Sequence, residues 1–397
     1  MTRVRKSAFN VREKLTELGR RFGLKGSELA GAETVQEARD AIGAGRKNMI
    51  INGACNINQR YTGSYTVPNA TGGTYVLDRW AVNEATGGSV SVNMDGDPYS
   101  GNGDGYDVQE FSKAMQIAVQ TDNSSLSANE NLHFFQNIEG YNTTRLGWGT
   151  PGAKPVTLSF WVRSNVPGIY CVGLENNAVN KTCIREYEVN PGFKWQKVVL
   201  TFPGPTDGTW EVTNSVGIRV RFCLASGSAY DDGIDGQWVS SDELTTGNQV
   251  NFVSSTSNRY FITGVQLEAG KIATDFEHRS YGEELALCQR YCYQITGGSN
   301  TFPICNGSIW DATTFIGVAN LPVPLRDPNN IDLESSAASH VVILSGGATD
   351  DATALSQVTH HSGSQVEFHA SVTMTVGNGA WARLKSGSTY IRFVSEL

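Results

Sequence analysis

The chain lacks most features that would assign it to a common class. No run of 18 apolar residues is present, and the N-terminus has no apolar stretch of signal-peptide length, so the sequence predicts neither a membrane span nor insertion. It is expected to be made in a cytoplasm. Its seven cysteines (55, 171, 183, 223, 288, 292 and 305) show no CxxC spacing and are odd in number. That pattern argues against a disulfide framework or zinc site and predicts reduced thiols packed as small hydrophobes. There is no GxSxG elbow, phosphate-cradling glycine loop, β-helix repeat or heptad. Carboxylates are plentiful, but nothing selects the pair that a glycosidase would need. A non-enzyme is the expectation. Charged residues make up only 18% of the chain.

What is present favours β-structure. Forty-three glycines and abundant Ser, Thr and Asn separate short apolar runs, as in an all-β chain with many turns. Leu158, Phe160 and Val162 alternate with Ser159, Trp161 and Arg163, while Trp195, Lys197 and Val199 open a strand reaching Phe202. Ile218, Val220, Phe222 and Leu224 face one way, and Arg219 and Arg221 the other. Period two runs longest from Val366 to Val376, and Phe261–Gln266 reads as a strand ended by Ala269-Gly270. Pro322 to Pro328 reads as an extended, turn-rich connection. Glu283 and Glu284 open a short helix carrying Leu285, Cys288 and Cys292.

The first 48 residues differ. They hold eleven Lys/Arg against six Asp/Glu, a net of +5, whereas the remainder carries −13. The acidic body argues against nucleic acid as the main partner. Capping boxes at Asn10–Glu13 and Thr34–Glu37 predict two short helices, the first with an apolar stripe of Val11, Leu15, Leu18 and Phe22. Helices this short need tertiary partners. The stripe could pack on the chain's own body or dock in a groove on another protein, and the change of charge at its border favours docking.

Two chemistries suggest themselves in the loops. Asp95, Asp97, Asp104 and Asp107, in MDGDPYSGNGDGYDVQE, could give oxygen ligands to Ca²⁺, although the spacing misses the EF-hand and a solvated turn-forming loop is the alternative. Asp231–Asp235 shares that ambiguity. Sugar binding needs an aromatic plane beside polar groups. Trp148, set between glycines, is the first candidate platform, followed by Tyr230 and Trp238 beside the second acidic loop; the alternative for Trp148 is a loop anchor folded back on the sandwich.

The run GVQLEAGKIATDFEHRSYGEELALCQRYCYQ (264–294) resembles a junction found in bacteriophage fibre and appendage proteins. KNMIINGACNINQR (47–60), with Asp78-Arg79-Trp80, is similar to the opening of the same modules. LSFWVRSN (158–165), GFKWQKVVLTF (192–202) and TGVQLEAG (263–270) occur in this order in jelly-roll carbohydrate-binding modules. The resemblance spans roughly residues 48–293. It implies a mainly β chain: a helical N-terminal segment (1–48) docking on other virion proteins, a jelly-roll β-sandwich (49–280), and a β-rich C-terminal tip (281–397) opened by a short helix. It further implies a tail fibre or appendage, homotrimeric, assembled in a host cytoplasm and adhering to host-surface glycan. A head fibre, collar or decoration protein without receptor role is the first alternative, and a glycan-degrading tailspike the second.

Overall fold

A computed structural model describes residues 47–61, 63–94, 108, 110–298, 302–358, 363–387 and 389–397. The described chain is mainly β, built from four sheets whose strand pairs are all antiparallel. The expected apolar stripe (Val11, Leu15, Leu18, Phe22) and the calcium candidates (Asp95, Asp97, Asp104, Asp107) lie outside the described residues.

Two sheets face each other to make a sandwich. One runs in space Tyr65–Val67, Ser89–Asn93, Met115–Thr121, Arg259–Ala269, Val156–Ser164, Gln196–Phe202. The other runs Trp238–Val239, Thr182–Val189, Gly168–Glu175, Val216–Ser226, Asn131–Glu139, Trp80–Ala85, Ala70–Leu77. Alternation points Ile218, Val220, Phe222 and Leu224 inward, where they are buried, and turns Arg219 and Arg221 outward. The centre is an aromatic stack: Phe134 lies parallel to Phe222 at 4.8 Å, and Phe160 meets Phe222 edge-on at 5.1 Å. The Tyr187 and Tyr260 hydroxyls join at 2.8 Å, satisfying two polar atoms that burial would otherwise penalise.

A second layer covers the outer face of the first sheet, where Phe111, Trp195 and Phe261 form a small separate core. Here the guanidinium of Arg163 lies 4.6, 5.1 and 4.5 Å from the rings of Phe193, Trp195 and Phe261. Burial on both sides explains why Arg259–Ala269 loses the alternating exposure its sequence suggests. The same strand bulges between Thr263 and Gln266, at Gly264 with φ +61°. A Cβ on Gly264 would stand 2.5 Å from the Phe111 ring, so only glycine fits.

The helix expected to open at Glu283 and Glu284 is Tyr281–Gln289, with the Ser280 hydroxyl accepting from the Glu283 amide. Cys288 is on it, but Cys292 is not: the helix ends at the Arg290 cap and Cys292 begins a strand paired with Val394. Beyond it a three-stranded sheet (Cys292–Thr296, Tyr390–Val394, Asp332–Ser335) and a seven-stranded sheet enclose a separate core that includes Phe315, Phe368, Ile343, Leu384 and Phe393. The long alternating run is in ladder only over Gln365–Ser371; from Val372 its amides turn to Thr313 O and the Asp350 carboxylate instead. Leu321–Ile331 carries no strand, as the prolines predict.

The two cores are joined by charged side chains. Glu396, at the end of the last strand's extension, is held by Arg60 at 2.6 Å and by Arg79. Arg326 donates to Ser395 O and Glu396 O of the same extension, and to Asn214 O of the sandwich. Arg79 also stacks over the Tyr291 ring at 3.5 Å and donates to Asn137 O.

Candidate ligand-binding site

Trp148, Trp210 and Trp238 converge from loops about ninety residues apart in sequence at most. Trp148 follows a short helical turn that ends at Gly147 in the left-handed region. Gly149, also left-handed, donates to Pro205 O at 2.9 Å, bringing the 203–215 loop against it. A Cβ at Gly149 would lie 2.8 Å from Gly208 O and 3.1 Å from the Trp210 ring, so glycine permits this approach. Trp238 arrives on a two-residue strand paired with Cys183 and Thr182 at the sheet edge.

The rings are mutually near-perpendicular, at 4.6 Å (148–210), 5.5 Å (148–238) and 5.4 Å (210–238). Edge-to-face packing is the favoured arrangement of aromatic quadrupoles. Each indole N–H donates to a backbone carbonyl: Trp148 to Lys154 at 2.8 Å, Trp210 to Asp207 at 3.1 Å, and Trp238 to Pro203 at 2.8 Å.

This corrects the expectation for Trp148. Only 9% of it is exposed, so it is the anchor on which the other rings lean rather than an open platform. Trp238 is half-buried and belongs to the cluster. Tyr230 is half-buried too, but makes no ring contact with the cluster among the described residues; its carbonyl accepts from Leu244 and Thr245. Trp210, half-buried and nearest to Trp148, went unrecognised in the sequence. Its signal was the one noticed for Trp148, a loop tryptophan close after a glycine.

Charged and amide groups surround the two half-buried rings. Lys181 pairs with Asp207 at 2.9 Å and Arg185 with Asp235 at 3.0 Å. The Asn176 amide bridges Asn180 and Thr209 O. The second acidic loop is thus structural in part: the Asp235 carboxylate receives Arg185 and the Glu186 amide. No group of three or more His, Cys, Asp or Glu able to hold a metal occurs among the described residues.

On the outer face of the same sheet His133 is half-buried, its Nδ1 3.0 Å from Asn131 Oδ1. Burial, then the Arg221 and Arg219 cations, hold its pKa well below the ordinary value, so the imidazole is neutral. All seven cysteines are free and buried, and burial raises their thiols: Cys55, Cys292 and Cys305 to about 12, Cys171 to about 11.

A cavity of about 450 Å³ opens where the helix Tyr281–Gln289 meets the sandwich. Its size suits a small ligand. Its charged walls are already engaged, however: Glu139 takes two bonds from Arg290 and one from the Tyr291 hydroxyl, and Arg279 serves Glu277, Glu284 and the carbonyls of Asn48 and Ile50. The arrangement is that of a structural seam.

No family model matches the sequence, and no curated protein matches it. Among solved structures, one described as "CBM4 structure and function" is 14% identical, covering 55% of this chain and 97% of its own, with TM-score 0.29. The enzymatically active domain of bacteriophage CBA120 tailspike protein 4 is 13% identical over 51% of this chain and 21% of its own, TM-score 0.27. A family 11 carbohydrate-binding module from Clostridium thermocellum, in complex with a mixed-linked tetrasaccharide, is 10% identical over 54% and 100%, TM-score 0.26. At these values the likeness carries no argument about ligand or origin.

Proposed function

We propose that the chain is a structural virion protein, a bacteriophage fibre or appendage, that adheres weakly to host-surface glycan and catalyses nothing. In this reading residues 1–48 dock on other virion proteins, 49–280 form the glycan-binding body and 281–397 the tip, and three copies assemble. The sequence motifs of residues 264–294 support the appendage. The observation that carries glycan binding is the pair of half-buried, perpendicular rings of Trp210 and Trp238, flanked by Lys181–Asp207 and Arg185–Asp235. A ring face covers sugar C–H groups while the neighbouring polar groups take hydroxyls. Many copies multiply weak single sites through effective concentration.

Binding of the full chain to immobilised host cell-wall glycan, compared with Trp210→Ala and Trp238→Ala, tests the reading. At least a tenfold loss in either variant, with unchanged circular dichroism, supports it; equal retention of all three overturns it. A purely bracing role is favoured by one observation, that every indole N–H of the cluster is already satisfied by backbone. Mass photometry of the full chain decides the trimer.

A further inference from the structure

The seven-stranded sheet of the C-terminal part has one face in its core and the other exposed. Its strands run in space Ala348–Asp351, Val341–Ser345, Gly379–Leu384, Phe302–Asp311, Thr314–Asn320, Gln365–Ser371, Ala354–Val358. Ala380, Ala382 and Leu384 point into the core, so Trp381 and Arg383 point out. The registers place Leu344, Trp381, Asn306, Val318 and Glu367 side by side in one row across five strands. The next row holds Ser308, Ile316 and His369.

This face has an unusual composition for a surface. Trp381 is 57% exposed, Val318 42%, and Trp310, further along its strand, 69%. Polar groups alternate with them. The Asn306 amide and the Ser308 hydroxyl make no hydrogen bond among the described residues. The Nε of Arg383 is buried without a hydrogen-bond partner. Cross-strand neighbours stand about 5 Å apart, and same-face residues of one strand about 7 Å. Trp381 therefore has an amide beside it and a guanidinium next along its strand, both within reach of one sugar ring.

We propose that this face is a glycan-binding platform: Trp381 stacks on a pyranose ring, and Asn306 and Arg383 take its oxygens. The occupant follows from chemistry. A lipid surface calls for a basic face, and this one pairs Glu367 with His369 at 2.8 Å and Asp351 with Lys385 at 2.6 Å. A protein interface is depleted of Glu, Asp and Lys at its centre, whereas this face carries Glu367, Asp351 and Lys385. Sugars present apolar C–H patches beside hydroxyls, which an exposed ring face with neighbouring polar side chains can meet together. The inference extends glycan adhesion to a second surface and does not depend on the tryptophan cluster.

The test is affinity electrophoresis of the full chain through gels containing dextran, xylan, alginate or hyaluronan, comparing wild type, Trp381→Ala, Asn306→Ala and the double variant Trp210→Ala/Trp238→Ala. The proposal expects retardation by at least one polysaccharide, weakened tenfold or more by Trp381→Ala and severalfold by Asn306→Ala, while the double variant reports the separate share of the tryptophan cluster. Loss in the double variant with none in Trp381→Ala overturns the platform and leaves the cluster standing. No retardation of wild type overturns the platform for these glycans. Sedimentation showing an oligomer that Trp381→Ala dissolves overturns it in favour of a second copy of the chain.

Discussion

Replacing Glu396 by Ala removes the one carboxylate shared by Arg60 and Arg79, whose side chains are 3% and 1% exposed. Both guanidiniums are otherwise wedged in place: Arg60 lies 5.0 Å from the Tyr75 ring, Arg79 3.5 Å from the Tyr291 ring. Neither can reach water without opening the seam between the two cores. Deleting one partner of a buried pair leaves uncompensated charge and costs about 3–5 kcal/mol. A domain's whole stability is about 5–15 kcal/mol, so the loss is large. Glu396→Gln keeps volume and one acceptor and should lose less. Glu334 pairs with Arg392 at 3.1 Å but is 45% exposed, so Glu334→Ala is the control and should lose about 0–1 kcal/mol. Urea unfolding followed by tryptophan fluorescence measures each loss, and limited trypsin digestion reports whether the seam opens first. If Glu396→Ala unfolds within about 0.5 kcal/mol of wild type, the range of an ordinary surface change, the clamp does not hold the two parts together.

Trp148→Ala should cost about 3–5 kcal/mol by urea unfolding, because a nearly buried ring is lost and its loop anchor with it; Trp210→Ala, half-buried, should cost clearly less. The His133 pKa is lower in the folded than in the unfolded chain, so the unfolded state binds the proton first. Stability should therefore be full above about pH 6.5 and fall as pH drops below it, by up to about 1.4 kcal/mol per pH unit. His133→Gln should flatten that part of a Tm–pH profile, and an unchanged profile refutes the assignment. The seven buried thiols, raised by burial, should resist a thiol reagent at pH 8 until the chain is unfolded; rapid native labelling would contradict their packing. Gly264→Ala should destabilise by more than about 1 kcal/mol by the same denaturation assay, since its Cβ meets the Phe111 ring.

Much of the β-structure was legible because it is written in neighbours. The alternation from Ile218 to Leu224, and over the first part of Val366–Val376, placed the right side chains in the cores, and Glu283 and Glu284 announced a helix. Cys292 deceived because helical spacing continues in sequence after the helix has stopped. The candidate site was legible only in part. The structure puts Trp238 in a ring cluster, makes Trp148 the covered anchor that was one of its two readings, adds Trp210, which the sequence reading passed over, and leaves Tyr230 apart. Residue type decides none of these placements; which loop lies over which ring does.

The sequence by itself determined the mainly β composition, the strand faces, the short helix and the thiols as buried hydrophobes. Dihedral preference, capping and side-chain period act within a few residues, so a reader of the chain has all the atoms that decide them. Only the tertiary structure decided that Trp148 is covered while Trp381 is open, and that Glu396 meets Arg60 across 336 positions. Burial is the exclusion of water by whatever distant segment arrives, and neither partner carries a local sign of the other.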